Sequence, residues 1–184
     1  GHPLAFAGDG RVLVWRDGGL AEVLPQSPEA PLLVKTSVSS SDDLLSDQHD
    51  LYFWSREWVG GGQALRYRSV AAATGVEKWA VPVEGTPLTG TNLLTTRSSA
   101  LVVTYAQRTG ETGVDHTLRE LGHGKEVFAC KLPGALSGTT ALTGGRWIAS
   151  VGGELQAFQA PYLELARRGW VAWRGGPSRG LQPR

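Results

Sequence analysis

Short runs of apolar residues recur along this chain at wide, similar intervals, each followed by glycine and then by a second run with period-two alternation. The four openings are Leu4-Ala5-Phe6-Ala7, Leu51-Tyr52-Phe53-Trp54, Leu101-Val102-Val103-Thr104 and Trp147-Ile148-Ala149-Ser150. Their spacing of roughly 50 residues lies in the range of propellers and solenoids. Glycine-bearing turns then lead into second strands at Val12–Trp15, Ala64–Tyr67, Thr117–Leu121 and Leu155–Phe158, the pattern expected of β-hairpins.

The second half of each unit recurs as well. Further turns at Asp17-Gly18-Gly19, Thr74-Gly75 and Gly122-His123-Gly124 precede third strands at Leu20–Leu24, Val76–Val81 and Lys125–Cys130, which run into Pro25, Pro82 and Pro133. Proline cannot donate to a ladder, so it ends a strand. Shorter apolar segments at Pro31–Val34, Pro87–Gly90 and Ala135–Gly138 lead into the next unit, giving about four strands each. The only window with a helical look, Tyr162–Arg168, reads equally as an irregular closing strand. The predicted fold is all-β: a β-propeller built from four-stranded antiparallel blades. The approximate repeats are 4–50, 51–100, 101–146 and 147–184 of one domain. About four blades, the last without an obvious third strand, imply part of a larger ring or one whose edges a partner covers.

One stretch carries a family resemblance. Val70-Ala71-Ala72-Ala73-Thr74-Gly75-Val76-Glu77-Lys78-Trp79 resembles the blade motif of quinoprotein-like (PQQ-repeat) propellers, in which a strand runs into Thr-Gly and a Trp follows four residues on. The family's Asp is missing from this copy. Leu121-Gly122-His123-Gly124-Lys125-Glu126-Val127-Phe128 looks like a degenerate second copy, with Phe128 in the Trp position. The segment from Gly169 to Gly180 looks like a phrase that opens or closes some of these propellers. The resemblance implies that Thr74 and Gly75 form a tight turn, and that Trp79, with Gly124 and Phe128 in the weaker copy, docks one blade on the next. A WD40-like or kelch-like propeller is the alternative.

Composition narrows the function. The chain is 41% hydrophobic and 19% charged with 25 Gly, and its net charge is +1. Such a chain folds, and it offers no overall field to gather nucleic acid. No run approaches the roughly 18 apolar residues of a membrane-spanning helix, and the start lacks a signal peptide's basic and apolar regions. With no Met, Gly1 is not a translational start, which implies a processed product or part of something longer.

Candidate chemistry is sparse. The lone Cys130 excludes an internal disulfide and is expected half-buried in a strand. The enzymes of the resembled family hold a quinone with calcium and a catalytic Asp. Here Asp42, Asp43, Asp50 and Asp115 form no oxygen-rich loop of the kind calcium requires. His49-Asp50 and Asp115-His116 read as loop pairs, and if in strands they would point to opposite faces. His2, His49, His116 and His123 lack ligand spacing. Gly176-Pro177-Ser178-Arg179-Gly180 fits a nucleophile elbow, but no Asp or His follows it. Gly122-His123-Gly124-Lys125 reads as a hairpin turn and Ser37–Asp43 as a solvated loop. The expectation is therefore no catalytic residue, no cofactor and no metal. Possible partner contacts are Trp54 and Trp58, which share a strand face as a core stack or a recognition platform, and the tail cations Arg167, Arg168 and Arg174.

These features predict a non-catalytic scaffold that binds protein partners, among them the remainder of the propeller or another subunit. The resemblance implies a bacterial cell-envelope setting, periplasmic or outer-membrane-associated, since relatives include lipoproteins that assist outer-membrane β-barrel assembly. The alternative is a degenerate quinoprotein-type enzyme or a carbohydrate-binding propeller.

Overall fold

The structure, a computed structural model, describes residues 4–6, 11–16, 19–23, 32–35, 44–88, 90–108 and 113–166. Among them there is no helix. Sixteen strands form four antiparallel sheets in chain order. The first holds β1 (Leu4–Phe6), β2 (Val12–Arg16), β3 (Gly19–Glu22) and β4 (Leu32–Lys35). The second holds β5 (Leu45–Ser46), β6 (Asp50–Val59), β7 (Gly62–Ala71) and β8 (Glu77–Pro82). In the third, β9 (Thr86–Pro87) and β10 (Leu93–Leu94) both pair with β11 (Ser99–Gln107), and β12 (Val114–Gly122) and β13 (Lys125–Lys131) follow. The fourth holds β14 (Leu136–Thr143), β15 (Arg146–Val151) and β16 (Glu154–Gln159).

Within each sheet the strands lie in sequence order, and like strands of successive sheets meet: β1 with β5, β5 with β10, β10 with β14, and on the outside β8 with β13. This is the radial arrangement of propeller blades. Three apolar clusters fill the spaces between consecutive blades. Leu13 and Leu20 meet Leu51, Phe53 and Val70. Tyr52, Trp54, Tyr67 and Val81 meet Ala100, Val102 and Leu121. Leu101, Val103 and Leu118 meet Leu142, Trp147 and Ala149. Strands β6 and β11 thus bury both faces, which is why Leu51-Tyr52-Phe53-Trp54 and Ala100-Leu101-Val102-Val103 are continuous apolar runs instead of alternating ones. Strand β15 differs: Trp147, Ala149 and Val151 are buried against the third blade, while Ile148 and Ser150 on the other face are only half-buried.

Four hairpins turn on two residues that both have positive φ: Gly60-Gly61, His123-Gly124, Gly144-Gly145 and Gly152-Gly153. Such turns match the right-handed twist of the strands they join, and three of the four are Gly-Gly because glycine enters this region without a Cβ clash.

The sheets begin one strand earlier than three of the four apolar openings. Leu51, Leu101 and Trp147 stand on second strands, whereas Leu4 stands on a first strand. The first strands β5 and β10 are only two residues long, too short to show a period. Consequently Val76–Val81 and Lys125–Cys130 mark fourth strands, and only Leu20–Leu24 marks a third. Pro87 pairs with Thr104 of the third sheet, and Leu136 opens the fourth. The Tyr162–Arg168 window holds no helix in its described part. Residues 163–166 instead return to the third blade: Leu165 bridges Thr95, the Thr96 N–H donates to the Glu164 carbonyl at 2.8 Å, and the Ala166 N–H donates to that of Leu94 at 2.9 Å.

Candidate functional site

The best-formed repeat feature is the junction between blades 2 and 3. The Gly75 N–H donates to the Ala71 carbonyl at 2.8 Å, and the Ala71 N–H to the Val76 carbonyl at 2.8 Å, closing a tight turn with Gly75 at φ 70°. The Thr74 hydroxyl accepts a long bond, 3.4 Å, from the Val76 N–H. Strand β8 then carries a bulge opposite Ser69 and Val70, so that Trp79 pairs with Ser69 and Glu77 with Val70. The indole of Trp79 packs against Tyr52 and Tyr67, with ring centroids 6.0 and 6.4 Å away. A Cβ on Gly124, in the matching turn of blade 3, would lie 3.6 Å from the Trp79 Cβ. Trp79 therefore stands between its own blade and the next turn.

Blade 3 repeats the construction. Strand β13 bulges at the same place, with Phe128 opposite Glu120 and Glu126 opposite Leu121, so Phe128 occupies the position of Trp79. Phe128 packs into the cluster between blades 3 and 4. An ion pair is repeated with it. Arg68 donates to Ser55 at 2.7 Å and to Glu77 at 2.5 Å, and it also meets Glu57. Arg119 donates to Thr104 at 3.0 Å and to Glu126. Sequence reading missed this pair, although its signal is present: in both copies Glu stands two residues before the aromatic and Arg just before the residue that the aromatic pairs with.

Two exposed features could serve partners or ligands. The β6–β7 hairpin extends past the end of β8, and at its tip Trp58 is 73% exposed and Val59 54%. Trp54 does not share that surface. It is buried in the core, edge-on to Tyr67 at 4.7 Å. The even spacing puts both indoles on one face, but the cover of blade 3 reaches only Trp54. Arg167, Arg168 and Arg174 lie outside the described residues, as do Ser37–Asp43 and the Gly-x-Ser-x-Gly segment.

The second feature is an open cleft of about 280 Å³ lined by Asp47, Gln48, His49, Thr95, Thr96, Ser98 and Ala166. Its polar groups are largely engaged in holding turns. Asp47 accepts from the N–H groups of His49 and Asp50 and from the Tyr52 hydroxyl, each at 2.8 Å. Burial, and then the charge of Asp47, push the Tyr52 hydroxyl above the ordinary tyrosine range, so it remains a donor. Thr95 bonds Ser99 at 2.8 Å, and Ser99 donates to the buried Glu120 at 2.6 Å.

Asp50, Asp115 and His116 lie in strands and not in loops, and the neighbours Asp115 and His116 take opposite faces of β12 as strand geometry requires, while His49 stands in the bend before β6. Asp115 faces Lys131 and Arg108 at 2.6 and 2.7 Å, whose hydrogen bonds hold its carboxyl below the usual range. His116 points inward, stacked on Tyr105 at 6.0 Å, and its Nδ1 accepts the Leu136 N–H of blade 4 at 3.2 Å. Burial pushes its pKa down. Cys130 is exposed rather than half-buried. It lies two residues from Phe128 on outermost strand β13, where a cavity adjoins it instead of a packed neighbour. Among the described residues no group of three His, Cys, Asp or Glu side chains is placed to hold a metal ion.

No protein-family model and no curated protein matches the chain. Among solved structures, dihydro-heme d1 dehydrogenase NirN in complex with DHE is similar at 13% identity and a TM-score of 0.40, over 90% of this chain and 46% of that one. The chain thus spans less than half of that protein's length.

Proposed function

We propose that this chain is a non-catalytic propeller scaffold of the PQQ-repeat type that binds protein partners in the bacterial cell envelope. The observation that carries the family reading is Trp79 itself. It follows a bulge on the outermost strand and lies against Gly124 of the next blade's turn, as the docking residue of the resembled family does. Partner binding is supported by the projecting Trp58 and Val59, since an exposed indole at a hairpin tip is an anchor suited to a protein groove. The outer side of blade 4 adds a second surface among the described residues: Ala141, Ile148 and Ala157 stand in one row, and Ser137, Ser150 and Leu155 in another. The first row is small and apolar and the second sets Leu155 beside two small serines, a face that suits a further blade, whether from this protein or from a partner.

The competing reading, a degenerate quinoprotein-type enzyme or carbohydrate-binding propeller, draws on the cleft beside His49. Thermal melts with added calcium and pyrroloquinoline quinone, and with simple sugars, separate the two. The scaffold reading expects an unchanged midpoint. A saturable upward shift with any of them would replace it, because ligands stabilise the state they bind.

A further inference from the structure

The outermost strands of the first three blades are defended edges. Strands β4, β8 and β13 each shift register against the strand inside them. Strand β8 carries Lys78 and ends on Pro82, and β13 carries Lys125 and Lys131. Bulges, lysine and proline on an outer strand discourage a further strand from adding to it. Strand β16, the outermost described strand of blade 4, has none of these. Its six residues, Glu154-Leu155-Gln156-Ala157-Phe158-Gln159, contain no Lys, Arg or Pro and pair with β15 residue for residue without a bulge. Among the described residues blade 4 also stops at three strands where each other blade has at least four.

The positions that a fourth strand covers are laid out on blade 4 in the same register. In blade 2 Trp79 lies opposite Ser69 and packs on Tyr52, which pairs with Ser69, and on Tyr67, two residues before Ser69. In blade 3 Phe128 lies opposite Glu120 and joins the cluster of Leu101, which pairs with Glu120, and Leu118, two residues before Glu120. In blade 4 the matching residues are Ala157, Ile148, which pairs with it, and Leu155, two residues before it. Tyr67 and Leu118 are buried, whereas Leu155 is 80% exposed and Ile148 half-buried. One position differs in charge. Arg68 and Arg119, which hold Glu77 and Glu126 of the fourth strands, are replaced by Gln156.

We propose that the outer edge of β16 receives an antiparallel strand from a protein partner, with an aromatic residue opposite Ala157 and an uncharged residue two places before the aromatic. The ring covers Ile148 and Leu155 as Trp79 covers Tyr52 and Tyr67, and the main chain supplies the ladder that β8 and β13 supply to their blades. Without an arginine at position 156, a glutamate two places before the aromatic would stand unpaired, which sets this edge apart from blades 2 and 3. A second copy of β16 is a poor donor, because its aromatic, Phe158, is packed on its own Trp147 at 5.2 Å. The inference rests on the partner-binding reading of the chain.

A blocked, fluorescein-labelled peptide of residues 75–82 carrying Glu77→Gln is a suitable probe, since it has the fourth-strand sequence of blade 2 without its acid. Titrated into the full chain, it should give a saturable rise in anisotropy and slow hydrogen exchange in β16. The same peptide with Trp79→Ala should bind at least about tenfold more weakly. In the protein, Leu155→Lys alters a side chain that the fold leaves exposed, and it should weaken probe binding by a similar factor, as lysine on an edge does. Gln156→Arg should reverse the preference, so that the peptide with native Glu77 binds about threefold better than the Gln form. The inference is overturned if the probe fails to bind the wild-type chain, if the Trp79→Ala peptide binds equally, or if either protein variant leaves binding unchanged. It is overturned too if a second copy occupies β16, shown by wild-type dimers in sedimentation that Leu155→Lys disperses and the peptide does not. Failure of the peptide with unchanged calcium, quinone and sugar melts overturns this inference alone; a shift in those melts overturns the scaffold reading itself.

Discussion

Trp79 shows what one side chain contributes to an array of sheets. It touches Tyr52 and Tyr67 of its own blade and approaches Gly124 of the next, so its removal opens a gap across a blade junction. Trp79→Ala should lower stability by about 3 kcal/mol in urea melts, toward the lower end for tryptophan because the ring is only partly buried. A loss below about 1 kcal/mol would deny it the docking role. His116 is the second residue with a definite expectation. Its neutral Nδ1 accepts the blade 4 amide, and burial lowers its pKa in the folded chain. The unfolded chain therefore takes up a proton first on acidification, and stability should fall as pH drops below about 6.5. His116→Asn should flatten that slope between pH 7.5 and 5.5; an unchanged slope would assign the acid loss to other groups.

At the scale of elements, the turns and bulges set how blades meet. The Gly122 backbone presses on Ser99 across the β11–β12 pair, and a Cβ there would lie 2.7 Å from that of Ser99. Gly122→Ala should destabilise by about 1–3 kcal/mol, with a smaller loss in a Ser99→Gly background. Equal losses in both backgrounds would place the strain elsewhere. The strands were legible in the sequence wherever they were long and buried: Leu51-Tyr52-Phe53-Trp54 and the Thr74-Gly75 turn are plain in the residues. The two-residue strands β5 and β10 were not, because no period fits in two positions, and their loss displaced the start of two units; the third was displaced because Ala135–Gly138 reads as the close of one unit although Leu136 opens β14 of the next. Trp54 and Trp58 share a face by count alone, and only the reach of the neighbouring blade separates core from tip. The Arg–Glu pairs and the cavity beside Phe128 depend on contacts between residues distant in sequence, which spacing does not report.

For the whole molecule, the decisive fact is asymmetry between middle and end. Among the described residues, blades 2 and 3 are covered on both faces, whereas on the outer face of blade 4 Ala157 and Leu155 are exposed and Ile148 is only half-buried. In sedimentation the isolated chain should associate as concentration rises, because such a face is more stable against another sheet than against water. A monomer that stays monodisperse over the concentration range would show that this face needs no cover. The return of residues 163–166 to β10 has a different consequence. After leaving blade 4 the chain is fastened to the blade before it, through the amides of Thr96 and Ala166. Blade 4 is thus a buckle rather than a loose last link, and it cannot peel away without first undoing the inner strand of its neighbour. In hydrogen exchange these two amides should open together with the β14–β15 pairing, as one cooperative unit.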